Sequence, residues 1–232
     1  KGGHNAEHHN HNDVGSYVAV SGERAVLLDP GSETYTGRTF SNRRYESKLL
    51  NSYGHPVPVV AGKLQRTGRE ARAQVLRTEF TDEADTLQLD IKSAYEVPEL
   101  RTLERTFVYS REGAGSLTVT DRVEFDGPQS FETALITDGE WRQMEDGSLT
   151  VYDFDEALRV DIEAEGGEFT IEADEIHEEA RAQPTRLAIR LVAPVTSASI
   201  KVRIGPLEGL DEQGAGGLLR NGGFEHGSRI SS

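Results

Sequence analysis

The sequence predicts an all-β chain folded as a large antiparallel β-sandwich, on three observations. Short segments alternate apolar and polar residues, the period of a half-buried strand, most clearly over 86–92 and 116–123. Turn signals stand between such segments: Glu112-Gly113-Ala114-Gly115, Asp126-Gly127-Pro128, Glu145-Asp146-Gly147 and Glu165-Gly166-Gly167. No segment sustains a 3.6-residue apolar period. Hydrophobic residues make up only 35% of the 232, which suits a core spread over many thin strands.

Residues 16–20 read as the first strand, Gly22-Glu23 as a two-residue turn, and 25–29 as the return of a hairpin that Pro30-Gly31 ends. Residues 32–55 are polar and interleave aromatics with arginines. They read as a long structured loop, the kind of segment that carries function. Strand character resumes at 57–60. From 73 to 204 strand follows strand: 86–92, 101–109, 116–123, 129–136, 149–152, 158–162, 168–176, 186–192 and 198–204. Trp141, between two of them, reads as core or edge packing rather than a sugar platform. The expected organisation is a sandwich domain over 1–206, a Gly-rich linker over 207–217, and a segment 218–232. That last segment is either a tail or the start of a further module, since Leu218 to Glu225 resembles the opening strand of carbohydrate-binding jelly-roll modules. The chain opens on Lys1 inside a motif-like stretch and reads as part of a longer protein.

Charge narrows the partners. The 40 Asp+Glu exceed the 25 Lys+Arg, for a net charge of −15. That argues against nucleic acid, whose phosphates need a basic surface, and against a polybasic membrane anchor. No apolar run is long enough for a membrane span. With no cysteine, disulfides and thiolate metal sites are excluded.

Five of the seven histidines, at 4, 8, 9, 11 and 55, fall in the first 55 residues. A tag would be an unbroken run, whereas asparagines interrupt this one. A solvated polar loop is one reading; a metal or catalytic site is the other. Neutral imidazole is a good zinc ligand, and aspartate adds a hard oxygen and a compensating charge. In an extended segment His9 and His11 point the same way. Asp29 ends the returning strand, opposite Ser16 if Gly22-Glu23 is the turn. His11 lies five residues further on, too far if the strand runs straight; a curl at Gly15, where glycine tolerates the bend, would bring it back towards Asp29. A His-x-His pair beside a strand also suggests a cupin-type site, but no histidine closely follows Pro30-Gly31. Acidic runs such as 172–175 lack calcium-loop spacing and read as a solvated face.

Several ordered blocks resemble the β-sandwich signature of the heparinase II/III-like polysaccharide lyases. They are His4-Asn5, His9-Asn10-His11-Asn12-Asp13-Val14-Gly15-Ser16, Leu28-Asp29-Pro30-Gly31, Tyr35-Thr36-Gly37-Arg38, Arg43-Arg44-Tyr45-Glu46, Tyr53-Gly54-His55-Pro56 and Gly62-Lys63-Leu64-Gln65. The resemblance implies a sandwich of the supersandwich type, packed on an N-terminal α/α-toroid with the active site at the seam. It implies a structural zinc held by His11, Asp29 and His55, and a catalytic cleft histidine, His9. Many members carry Asn after the third ligand, where this chain has Pro56. The implied reaction is β-elimination on an acidic (uronate) polysaccharide: the C5 proton leaves, the C4–O bond breaks and an unsaturated uronate remains. That chemistry needs a neutralised carboxylate, a base and an acid. An imidazole can serve as neutraliser or base. The family's tyrosine and its partner belong to the toroid, so the 232 residues alone are expected to be inactive.

For substrate binding the resemblance and the charge pattern nominate five residues. Asn5 would extend the cleft or cap the first strand. Arg38, Arg43 and Arg44 would grip carboxylate or sulfate; the alternative is that Arg43 or Arg44 pairs internally with Glu33 or Glu46. Tyr45 would stack on sugar or pack. The implied location is secreted or periplasmic, in a bacterium. Two other classes stay open: a non-catalytic, metal-stabilised carbohydrate-binding sandwich, and a cupin-like metalloenzyme with a redox-active metal and an open coordination position.

Overall fold

The alternating segments pair into antiparallel sheets. The computed structural model describes residues 1–180 and 182–207, and among these there is no α-helix, only three 3-10 turns. The first half contains β1 (His4–Asn5), β2 (Ala19–Ser21), β3 (Arg24–Leu27), β4 (Val59–Val60), β5 (Gly68–Arg72), β6 (Gln74–Phe80), β7 (Ala84–Asp90) and β8 (Leu100–Ser110). The second half contains β9 (Ser116–Gln129), β10 (Phe131–Thr137), β11 (Glu140–Gln143), β12 (Leu149–Asp153), β13 (Glu156–Glu165), β14 (Phe169–Glu175), β15 (Thr185–Leu191) and β16 (Val195–Pro206).

Eight strands form the large sheet, in the order β11-β12-β13-β16-β9-β8-β7-β6, and four form the smaller one, β14-β15-β10-β4. Two short ribbons, β1-β5 and β2-β3, accompany them. The two large sheets share one apolar core. Leu103, Val123, Val160 and Val202 from the eight-stranded sheet meet Phe131, Leu135, Leu187 and Ile189 from the four-stranded one. The period-2 rule sets which residues face inward. It also turns two charged residues into that core. Arg105 follows Leu103 in inward phase on β8, and its direct cross-strand partner on β9 is Asp121; both are buried.

The other face of the four-stranded sheet carries the segment between β3 and β4. Arg186 donates from Nε to the Tyr53 carbonyl at 2.9 Å, and the Tyr53 hydroxyl donates to Asp174 at 2.7 Å. Lys48 Nζ reaches the same carboxylate at 2.9 Å. Leu49, Leu50, Ala134, Ile136 and Ala188 are buried outside the main cluster, so this segment brings its own apolar contacts.

Some expectations shift. The first hairpin turns at Gly22-Glu23 as read, with Ser21 opposite Arg24, but its pairing ends at Ala19 opposite Leu27, after a bulge. Asp29 therefore lies beyond the hairpin and has no partner at Ser16. Asp126-Gly127-Pro128 is not a turn but part of β9. β5 and β11 are short and polar, and β1 has two residues, so none showed an alternating pattern. Trp141 sits on the edge strand β11 and packs against the core. The linker and tail expected over 207–232 lie outside the described residues from 208 onward.

Burial ranks the strands in energy. Phe131→Ala, in the core, should cost about 3–5 kcal/mol. Phe80→Ala on β6, where the ring is 74% exposed, should stay within about 0.5 kcal/mol. Urea midpoints of the two variants check this; equal losses would contradict the core assignment.

Candidate metal centre

Three loops bring one side chain each to a common point. The first, residues 6–18, turns back on itself. Asn12 N donates to the Leu50 carbonyl at 3.0 Å, and Gln65 locks Val14 from both sides, accepting from its N–H at 2.9 Å and donating to its carbonyl at 2.7 Å. Gly15 adopts φ +88°, a conformation glycine tolerates. Lys1 Nζ donates to Asn10 Oδ1 at 2.8 Å and to the His11 carbonyl at 2.9 Å, and also pairs with Asp13. These bonds hold the backbone around His11.

The second loop leaves β3. Leu28 N donates to the Ile136 carbonyl at 2.9 Å, and Asp29 Oδ1 accepts from Gly31 N at 3.3 Å. That local turn is the one Asp-Pro-Gly favours. The third loop passes through a 3-10 turn, Ser52–Gly54, capped by Asn51, whose side chain accepts from Tyr53 N. Gly54 N donates to the Lys48 carbonyl at 2.9 Å. A Cβ on Gly54 would come within 2.4 Å of that carbonyl oxygen, so only glycine lets the chain pass before His55.

His55 is fully buried. Its Nε2 lies 3.1 Å from the Leu49 carbonyl. A carbonyl only accepts, so Nε2 carries a proton and donates. Nδ1 then faces Asp29 Oδ2 at 2.9 Å. Two acceptors at that distance require a positive charge between them, either a second ring proton or a metal cation. His11 supplies the third group: its ring lies 5.2 Å from that of His55, centroid to centroid. One ligand atom from each of His11, Asp29 and His55 lies within 4.8 Å of the other two. Tetrahedral bonds of about 2.0–2.2 Å to a shared ion would set the ligand atoms about 3.3–3.6 Å apart, so the widest of these separations must close on binding. The Leu49 carbonyl behind the buried ring is the kind of outer partner that orients a ligating histidine.

Electrostatics keeps these donors in ligating form. Burial and, next, His55 push His11 down to about 4, against Asp13 and Asp29, so its ring is neutral at neutral pH. Burial raises the Asp29 carboxyl, but the His55 hydrogen bond and charge, Gly31 N–H and His11 outweigh it and hold it at about 2. Two nitrogen donors and one carboxylate form a borderline-soft set that suits zinc.

The other nominated residues are placed as follows. His9 is not in an extended segment: it occupies a turn with φ +58°, exposed, and stacks on Tyr35 at 6.2 Å. Asn5 is buried. Its amide donates to Gln65 Oε1 at 3.0 Å and to the Arg66 carbonyl at 3.1 Å, while its Oδ1 has no hydrogen-bond partner among the described residues. Arg38 pairs with Glu33 and, at 2.8 Å, with Glu178. Arg43 forks onto Glu46 at 2.8–3.0 Å. Arg44 donates to the carbonyls of Asn10 and Thr39, with Tyr45 beside it, 5.9 Å from guanidinium to ring centroid. Arg38 and Arg43 thus have internal carboxylate partners; the sequence offers such a partner for Arg43 or Arg44, not for Arg38. Three groups that shape the site had no role assigned from sequence: Gln65, Arg105 and Asp121. The last two carry a signal, a charge of each sign in the inward phase of two otherwise apolar-alternating strands.

The heparinase II/III-like, C-terminal family matches residues 1–205, and the chain belongs to that family. Solved structures share its architecture. A heparinase III gene product aligns with TM-score 0.70 and 14% identity, over 90% of this chain and 32% of that one. The heparan sulfate lyase HepC from Pedobacter heparinus aligns with TM-score 0.67 and 13% identity, over 87% and 31%. A further heparinase III aligns with TM-score 0.65 and 12% identity, over 86% and 30%. At these identities the likeness shows the fold alone. The chain spans about a third of the length of these structures. No curated protein sequence matches it. Among the described residues no helix is long and apolar enough to cross a membrane.

The pH dependence of the metal-free chain follows from the two depressed values. Below its ordinary value each group binds a proton in the unfolded chain before it does so in the folded one, so stability falls with pH. His11 should cost stability between pH 6.5 and about 4, and Asp29 between pH 3.8 and about 2. Urea midpoints measured from pH 7 to pH 3 check this. His11→Gln should flatten the first decline, and an unchanged slope would contradict the assignment.

Proposed function

We propose that this chain is the β-sandwich portion of a polysaccharide lyase that cleaves a uronic-acid-containing polysaccharide by β-elimination, and that His11, Asp29 and His55 hold a structural zinc. The observation that carries the proposal is the convergence of those three donors in a chain of this family. The acidic substrate class is supported by the heparan sulfate lyase among the similar folds. Zinc there would supply structural chemistry, neutralising Asp29 and fixing three loops against one another.

His9 is the residue of this chain proposed to act on substrate. It is exposed, two residues from His11, and its loop is tied down by the bonds at Asn12, Val14 and Lys1. There it neutralises the uronate carboxylate or accepts the C5 proton. Of the three nominated arginines, Arg43 is the exposed one. Its pair with Glu46 is exposed on both sides, and such pairs are worth little in water, so a sugar carboxylate or sulfate can replace Glu46. Arg44 and Tyr45 border the same loop, while Arg38 is held between two carboxylates. The other catalytic groups would come from an N-terminal α/α-toroid of the same protein, and a secreted or periplasmic location would give access to the polymer.

Metal analysis of the purified chain tests the proposal. About one zinc per chain is expected, lost in each of His11→Ala, Asp29→Ala and His55→Ala together with thermal stability. His9→Ala should keep the zinc and, in the full-length parent, lower lyase turnover by about 10²-fold or more. Zinc retained in all three ligand variants would sink the metal site. Oligosaccharide binding by the isolated chain at full strength would favour a binding module instead.

A further inference from the structure

Arg105 is fully buried, and every donor of its guanidinium is used. Nε and Nη2 fork onto Asp121 at 2.6 and 2.7 Å. Nη2 also donates to Thr133 Oγ1 on the opposing sheet at 3.0 Å. Nη1 donates to two backbone carbonyls, Gly15 at 2.8 Å and Pro56 at 2.6 Å. That accounts for all five N–H groups an arginine has. The two carbonyls belong to different loops. Gly15 lies four residues after His11, and Pro56 directly follows His55.

We infer that Arg105 is the positioning residue of the metal centre: anchored by Asp121, it fixes the His11 and His55 loops against the core and so sets the distance between their ligand atoms. The inference rests on the reading that these side chains hold a metal. Its physical basis is the rigid fork. Asp121 fixes the guanidinium plane, and the fixed plane dictates where Nη1 points. Lysine has a single charged nitrogen on a flexible stem and cannot hold a carboxylate, a hydroxyl and two carbonyls in that geometry. Asp121 neutralises the buried charge, which leaves the carbonyl bonds to act as tethers.

The test compares Arg105→Lys with Leu149→Ala in the 232-residue chain. Leu149 is buried on β12, separated from β8 by three strands of the large sheet. Three quantities are read: zinc affinity by competition with a chelator, the visible spectrum of the cobalt-substituted chain, and amide hydrogen exchange in the metal-free chain. Arg105→Lys should weaken zinc binding by roughly 10–100-fold, alter the cobalt spectrum, and speed exchange at residues 12–16, 55 and 57. Leu149→Ala should lose thermal stability yet keep native zinc affinity and spectrum. Native affinity, spectrum and exchange in Arg105→Lys would overturn the inference, as would an equal affinity loss in Leu149→Ala. Should Arg105→Lys fail to fold, Thr133→Val, which removes one acceptor, must shift the same readouts in the same direction, and no shift overturns the inference. Should the native chain bind no zinc, the metal reading fails by itself. Exchange then decides: acceleration confined to both loops upholds the clamp, and native exchange overturns it.

Discussion

Two hydrogen-bond acceptors face each other inside this protein, and much of the first 65 residues is arranged to keep them there. His55 spends its only neutral-state proton on the Leu49 carbonyl, so its second nitrogen meets the Asp29 carboxylate with a lone pair. Unrelieved, such a pair is repulsive, and burial of the ring removes water as a remedy. A cation between them turns the repulsion into binding. A proton satisfies two groups, whereas a metal satisfies three, and His11 stands within reach as the third. The depressed value of His11 keeps its lone pair free at the pH where a metal would be taken up.

Such a site needs long, irregular segments to hold fixed positions, and segments of that kind are ordinarily the least stable part of a fold. Here each is tied to regular structure. Gln65 grips Val14 on both sides, Arg186 holds Tyr53, and the amide of Leu28 bonds to β10. Arg105 joins both sheets and two of the loops with one side chain. The core thus does more than exclude water. It carries a charged pair whose bonds point out of the sandwich toward the site, and the pair is tolerated because each is the other's counter-ion.

Much of this was legible in the residues. Alternation located most strands of the large sheet, and Gly22-Glu23 marked the hairpin turn correctly. Gly15 was identified as the point where the chain curls. The resemblance to the heparinase II/III-like lyases, not the residue pattern alone, implied His11, Asp29 and His55 as a set, and the fold does bring them together. The losses have physical causes. Asp126-Gly127-Pro128 has turn chemistry, yet it forms an irregularity inside β9: Glu124 lies opposite Ser197 and Gln129 opposite Val195, so the register slips across the segment without ending the strand. The bulge between Ala19 and Val20 moved Asp29 off the hairpin, and no residue pattern announces a bulge. His9 was expected in an extended segment but adopts a left-handed turn, so its direction relative to His11 followed from tertiary contacts. Arg38 has a second carboxylate partner, Glu178, that comes close only in the folded chain.

X-ray absorption at the zinc edge of the zinc-loaded chain tests the central claim most directly, since it reads the atoms around the metal themselves. The account predicts a first shell containing two imidazole nitrogens at about 2.0–2.1 Å and a carboxylate oxygen at about 2.0–2.2 Å. A shell of oxygen alone, with no imidazole scattering, would mean that the metal sits elsewhere and that His55 and Asp29 share a proton.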